Sequence, residues 1–391
     1  MNDRGIRVTP RLGLVILLRL VAGLGLTACD DATVAPLVSA GATTCATGTA
    51  LLGTPPLALS AITGWVPLGN LNPVAHTFPT DHQYLYYSTG GPSTAIPVVA
   101  PTTLWVTRAK LSLYSTGVGD YSVEFQPCLE VKGELGHLSV LLAKIADRLG
   151  PFNQNCQTYS PNPGLTVTQC STVNGAVKVE AGEQIATVGT AATSIALDFS
   201  LWDKRAAPLA FANPARWQTS SDGFDRFHVV PASDYFAEPA KSLIAAKLGA
   251  YNGAIIRSVP PPGGTIAADS SGVQGHWFLP GVSTYPESQH LAIARDNVNP
   301  NLYAFSIGTS QPGFTGGSFP FSPQVSGTNL HPAMVTPTSG IVCYQPTNGS
   351  VLLLQAITTT QVRLEVRPGV GTCASNTPYA FVAGKTTDYA R

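Results

Sequence analysis

The chain has 391 residues, 44% hydrophobic and 11% charged, with Lys+Arg 22 against Asp+Glu 22. This composition suits two or three folded domains and excludes a mostly disordered chain, and the balanced charge offers no basic face for nucleic acid. Gly 38 and Pro 32 imply many turns between short strands, so a mainly β fold with a few helices is expected.

At the N-terminus, Arg4, Arg7, Arg11 and Arg19 precede the apolar run Leu20 to Ala28. That run is too short to span a bilayer and suits a cleaved secretory signal. It closes on Leu26-Thr27-Ala28-Cys29, which resembles a bacterial lipobox. The resemblance implies that residues 1–28 are a signal peptide and that Cys29 carries the lipid. Several acyl chains on one residue anchor a protein stably where a single chain would not. The expectation is an exported, membrane-anchored lipoprotein of the bacterial cell envelope.

Residues 29–64 are small and weakly patterned, and read as a tether. Residues 65–257 carry strand patterns, among them "IPVVAPTTLWVTRAKLSLYS", "DYSVEFQPCLEV", "GAVKVEAGEQIATVG" and "SIALDFSLWD". Within them, "HLSVLLAKIADRLG" at 137–150 places Leu138, Leu141, Leu142, Ile145 and Leu149 on one helical face before Gly150-Pro151 stops it. A second helix is expected in "EPAKSLIAAKLG", ending at Gly249. The run "SVPPPGGT" marks a boundary, and residues 258–391 read as a second antiparallel β-domain with a hairpin turn at Asn348-Gly349. Trp277 is expected as a buried anchor of that domain rather than a sugar platform.

Besides Cys29 there are six cysteines, which allow 15 pairings. Export favours disulfides. Cys156 and Cys170 flank a turn-rich loop and should pair, Cys343 and Cys373 should staple the last domain, and Cys45 and Cys128 are left for each other.

The stretch "HTFPTDHQYLYY", residues 76–87, gathers His76, Asp81 and His82 in a chain with His 7. On an extended strand His76, Thr80, His82, Tyr84 and Tyr86 share one side and Asp81 points away, unless Pro79 bends the chain. Two readings follow from the residues: a metal site, or a turn fixed by a histidine–aspartate pair with tyrosines packed beside it.

"GHLS" after two strands, then "VEAGEQIATVGTA", then "IALDFSLWD" resembles the lysostaphin-type, or LytM-type, zinc endopeptidases of bacterial cell walls, over residues 66–203. That family carries an H-x-x-x-D pair, an "HLS" histidine, a glycine-bracketed hairpin and a final H-x-H-F-E strand. The resemblance implies an antiparallel β-domain of two packed sheets, a zinc ion and peptidoglycan as ligand. Gly182 and Gly189 would bracket the hairpin turn. His82 matches the first zinc ligand, and Asp198 stands where the second histidine of H-x-H-F-E binds zinc. His137 matches the histidine that activates water or stabilises the transition state. Two positions depart from the pattern: Tyr86 replaces the aspartate of the opening pair, and Ala196 replaces the first histidine of H-x-H-F-E.

A catalytic zinc site needs three protein ligands and an open position, so His82 and Asp198 with Asp81 or His76 form the candidate metal set. With Ala196 in place, proton transfer would rest on His137 alone. The sequence therefore points to an inactive LytM-like domain that binds cell-wall glycan or peptide, or an envelope protein. Its alternatives are a zinc endopeptidase with altered ligands and a purely structural envelope lipoprotein.

Overall fold

The computed structural model describes residues 40–88, 94–162, 164–189, 194–217, 223–266, 269, 272–369, 371–376 and 378–391. The expected signal peptide, the lipidation site Cys29 and the start of the tether lie outside the described residues. Among the described residues, no helix is long and apolar enough to cross a membrane.

The strands follow from alternating apolar positions and the turns from glycine. In chain order the first half contains β1 (Ile62–Val66), β2 (Gln83–Tyr87), β3 (Ile96–Val99), β4 (Leu104–Tyr114), β5 (Gly119–Cys128) and β6 (Val131–Leu138). Next come β7 (Val140–Leu141), α1 (Ala143–Leu149), β8 (Gln154–Asn162), β9 (Leu165–Ser171), β10 (Val177–Val179), β11 (Gln184–Val188) and β12 (Ala196–Asp203). A large antiparallel sheet has the order β1-β2-β12-β6-β5-β4-β9-β8, with β10 also on β4, and a small sheet has the order β3-β11-β7. Both sheets contribute to one core, where Val98, Ile185 and Val188 meet Val123, Phe125 and Phe199.

After α2 (Ala240–Ala245), the second half forms two antiparallel four-stranded sheets. The first runs β13 (Gly275–Trp277), β14 (Leu291–Arg295), β15 (Tyr303–Ile307) and β16 (Gly317–Phe321). The second runs β17 (Ile341–Tyr344), β18 (Val351–Thr358), β19 (Gln361–Arg367) and β20 (Thr386–Ala390). They share a second core around Trp277, Phe305, Tyr344 and Leu364. Trp277 is fully buried and its Nε1 donates to the Val273 carbonyl at 2.8 Å, so the indole is an anchor with its polar atom satisfied. The turn between β17 and β18 holds Gly349 at φ 79, a left-handed conformation that glycine adopts without steric cost.

All sheets are antiparallel and the fold is mainly β, as composition and patterning lead one to expect. The three disulfides join Cys45 to Cys128, Cys156 to Cys170 and Cys343 to Cys373, and mark an oxidising, exported environment.

Four local readings change. The tether does not extend to residue 64, because Leu52 and Leu57 are fully buried and Leu52 N donates to the Tyr235 carbonyl at 2.9 Å. The helix expected from His137 begins only at Ala143, since the preceding residues complete β6 and β7. Gly182 and Gly189 do not bracket a hairpin: β10 pairs with β4 in the large sheet, while β11 pairs with β3 and β7 in the small one. Finally, the halves expected to part at residue 258 are joined by a third apolar cluster in which Leu68, Phe78 and Trp217 meet Phe278 and Ala292. Phe78 itself comes from the histidine-rich stretch, so that stretch is built into the junction.

Candidate functional site

β12 is central in the large sheet, and its two faces do different work. Leu197, Phe199 and Leu201 enter the first core, while Ala196, Asp198, Ser200 and Trp202 occupy the other side by strand alternation. Asp198 pairs with Tyr84 on β2 and with Gly136 on β6. A Cβ at Gly136 would stand 3.3 Å from the Asp198 Cβ, so the glycine leaves the carboxylate its space.

His82 precedes β2, which starts at Gln83, so the alternation expected along residues 76–86 does not apply before that point. The chain turns there: Thr80 Oγ1 donates to the His82 carbonyl at 3.0 Å, and Arg226 donates to the Pro79 carbonyl. This turn brings Asp81 back, so that its Oδ1 meets His82 Nδ1 at 3.2 Å while Oδ2 lies 3.5 Å from Arg226 Nη1. The imidazole is held from behind, and His82 Nε2 faces Asp198 Oδ2 at 3.6 Å.

His137 arrives from the opposite side. Tyr121 pairs with Leu138 and Val123 with Leu135, so Gly136 and His137 oppose the single residue Ser122 in a β-bulge. His137 has φ 59, uncommon for a residue with a side chain, and bulges of this kind re-aim side chains. Its Nδ1 meets Asp120 Oδ2 at 2.7 Å and its Nε2 meets Asp198 Oδ2 at 3.3 Å. Both imidazoles thus have a carboxylate behind Nδ1 and share Asp198 in front.

The electrostatics follow from this arrangement. Burial pushes the His137 pKa down, but Asp198 and Asp120 outweigh it and carry it up to about 9. His82 is also raised: its burial opposes protonation, and Asp198 and Asp81 prevail. Burial opposes ionisation of Asp81, yet its His82 hydrogen bond and Arg226 hold it well below the usual carboxylate range. His76 stands with its ring edge-on to His82, centroids 5.2 Å apart, and burial together with the neighbouring His82 lowers it to about 4.

Asp81, His82, Gly136, Asp198, Ser200 and Trp202 help line a cleft of about 210 Å³. His82 Nε2 and Asp198 Oδ1 are buried there without a hydrogen-bond partner. Zinc takes nitrogen and oxygen ligands at about 2.0–2.2 Å, which puts neighbouring tetrahedral ligands roughly 3.3 Å apart. Each histidine–Asp198 separation lies near that value. The three residues nevertheless do not close on one point. Among the described residues, the only group of three His, Cys, Asp or Glu ligand atoms all within 4.8 Å of one another is Cys45, Cys128 and Glu130, whose cysteines are disulfide-bonded. His82 and His137 are splayed about Asp198, Asp81 is engaged behind His82, and His76 stands edge-on against the His82 ring. The residues present do not fit a three-ligand zinc centre as arranged.

Ala196 is buried and packs with Val66 and Tyr84, so no proton-transfer group occupies that position. The structure brings His82, His137 and Asp198 together, with Asp81 and His76 beside them. Sequence reasoning missed Asp120 and Arg226, which lie 17 residues from His137 and 145 from Asp81. Neither carries a local motif, and only strand pairing and chain packing bring them in.

Fold and site together define an exported, disulfide-stapled, mainly β protein with a histidine–aspartate cleft on its largest sheet. No family model, no curated protein and no solved structure matches the chain.

Proposed function

We propose that the protein is a lipid-anchored lipoprotein of the bacterial cell envelope. Its first half acts as a catalytically silent relative of the lysostaphin-type endopeptidases and binds cell-wall peptide or glycan in the Asp198 cleft. One observation carries the reading: Asp198 is shared by His82 and His137, at 3.6 and 3.3 Å, with the buried Ala196 beside it in the same strand. Each imidazole has a carboxylate on Nδ1, and His137 also meets Asp198 through Nε2 at 3.3 Å, while His82 Nε2 and Asp198 Oδ1 keep hydrogen-bonding capacity for a ligand. In a hydrolase a proton-transfer group stands ready beside the attacking water.

The zinc-endopeptidase reading has a separate observation in its favour. His82 Nε2 and Asp198 Oδ1 are buried and unpartnered, and a carboxylate behind a ligating histidine is a common feature of metal sites. Metal analysis of the purified, disulfide-intact chain, paired with peptidoglycan sedimentation and hydrolysis assays, separates the two. Binding of peptidoglycan without hydrolysis and with well under one zinc per chain is expected. One zinc per chain with hydrolysis lost in His137→Ala would establish the enzyme, and absence of all binding would leave a structural protein.

The anchor is tested independently. Mass spectrometry of the mature N-terminal peptide is expected to find an acylated Cys29, and Cys29→Ala is expected to release the protein from membranes. An unmodified terminus would refute the lipoprotein assignment.

A further inference from the structure

A larger cavity of about 560 Å³ lies beside the first, between the β8–β9 hairpin and the turn around Pro286. Its volume falls within the span of small-ligand sites, about 300–1,000 Å³. Two tyrosines from separate parts of the chain line it, Tyr159 at 44% and Tyr285 at 45% exposure. Gln157, Ser160 and Ser288 add amide and hydroxyl groups. The wall between the tyrosines carries charge that is already compensated. Arg226 donates to the Pro79 carbonyl, pairs with Asp81 at 3.5 Å and hydrogen-bonds Tyr285, and its side chain is only 5% exposed. Glu287 is buried and accepts from Phe78 N at 2.9 Å.

We propose that this junction cavity binds a neutral oligosaccharide, with the Tyr159 and Tyr285 rings against sugar faces and Gln157, Ser160 and Ser288 bonding its hydroxyls. Aromatic rings present an apolar face with little conformational entropy to lose, which suits the C–H face of a sugar ring. An anionic ligand fits less well, because the one guanidinium in the wall already serves three partners. The hairpin wall is fixed by the Cys156–Cys170 disulfide immediately before Gln157. Tyr285 is fixed through Arg226, so both platforms are held in place before a ligand arrives.

The test is titration calorimetry on the full, disulfide-intact chain with two probes. One is an N-acetylglucosamine tetramer, whose choice rests on the cell-wall reading above, and the other is cellotetraose, whose choice does not. Binding of either is expected, weakened about tenfold in Tyr159→Leu and in Tyr285→Leu and retained in Tyr159→Phe. Binding of cellotetraose alone would support the cavity while counting against the cell-wall reading. The proposal is overturned if neither sugar binds or if both leucine variants bind as the wild type does.

Discussion

Replacing both Cys45 and Cys128 with serine is expected to lower the unfolding free energy by about 4.5 kcal/mol, the largest loss among the three bridges. In the chain-entropy model a disulfide acts by restricting the unfolded chain, and its effect grows with the logarithm of the loop it closes. The three loops span 83, 30 and 14 residues for Cys45–Cys128, Cys343–Cys373 and Cys156–Cys170. The corresponding losses are about 4.5, 3.6 and 3 kcal/mol. Native contacts add to the first: Cys45 N donates to Glu130 Oε2 at 2.7 Å and Leu129 N to the Thr43 carbonyl at 3.0 Å, so the bridge lies in a bonded seam. Guanidinium denaturation of the three double-serine proteins checks the order. If the Cys45/Cys128 protein loses less than the Cys156/Cys170 protein, loop closure is not what the bridges contribute.

The second large effect is a pH dependence centred on His137. The folded pKa is raised from 6.5 to about 9, so the folded state holds a proton that the unfolded state has released. The resulting stabilisation is fully present below pH 6.5 and lost as pH rises through about 9. A shift of this size corresponds to at most roughly 3 kcal/mol. With the side chain 29% exposed, screening by solvent brings the expected loss to about 1–2 kcal/mol. The advantage of wild type over His137→Gln should therefore shrink across that window. His76 has the opposite sign. Its pKa falls to about 4, so wild type loses stability relative to His76→Gln as pH drops from 6.5 toward 4. Denaturation curves at matched salt read both windows, and a His137 difference that stays constant from pH 6.5 to 9 would disprove the Asp120–His137–Asp198 arrangement.

Much of this architecture is written locally. Alternating apolar residues specify strands such as β4 and β10, because a strand places successive side chains on opposite faces whatever its partners are. Trp277 reads as an anchor because so large an apolar surface is costly to leave in water. The disulfide pairings are legible because one pair flanks a short turn-rich loop, a second lies within the last domain, and elimination supplies the third. The stretch around His82 stands out by its histidine content, and the resemblance of "IALDFSLWD" to an H-x-H-F-E strand makes Asp198 a candidate beside it.

Tertiary structure decided the rest, and the reason is physical in each case. A glycine marks a turn but not the destination of the strand that follows, so Gly182 could not reveal that β10 and β11 enter different sheets. Hydrophobic spacing from Leu138 to Leu149 fits a helix, yet pairing with β5 and β11 outcompetes helical hydrogen bonding until Ala143. The orientation of Asp81 depends on Arg226, 145 residues away, and that of His137 on a bulge opposite β5. The sequence by itself determined which residue types were available for the cleft. Only packing determined that Asp198 would stand between two imidazoles, because those distances are set by sheet register and by buried charges remote in sequence.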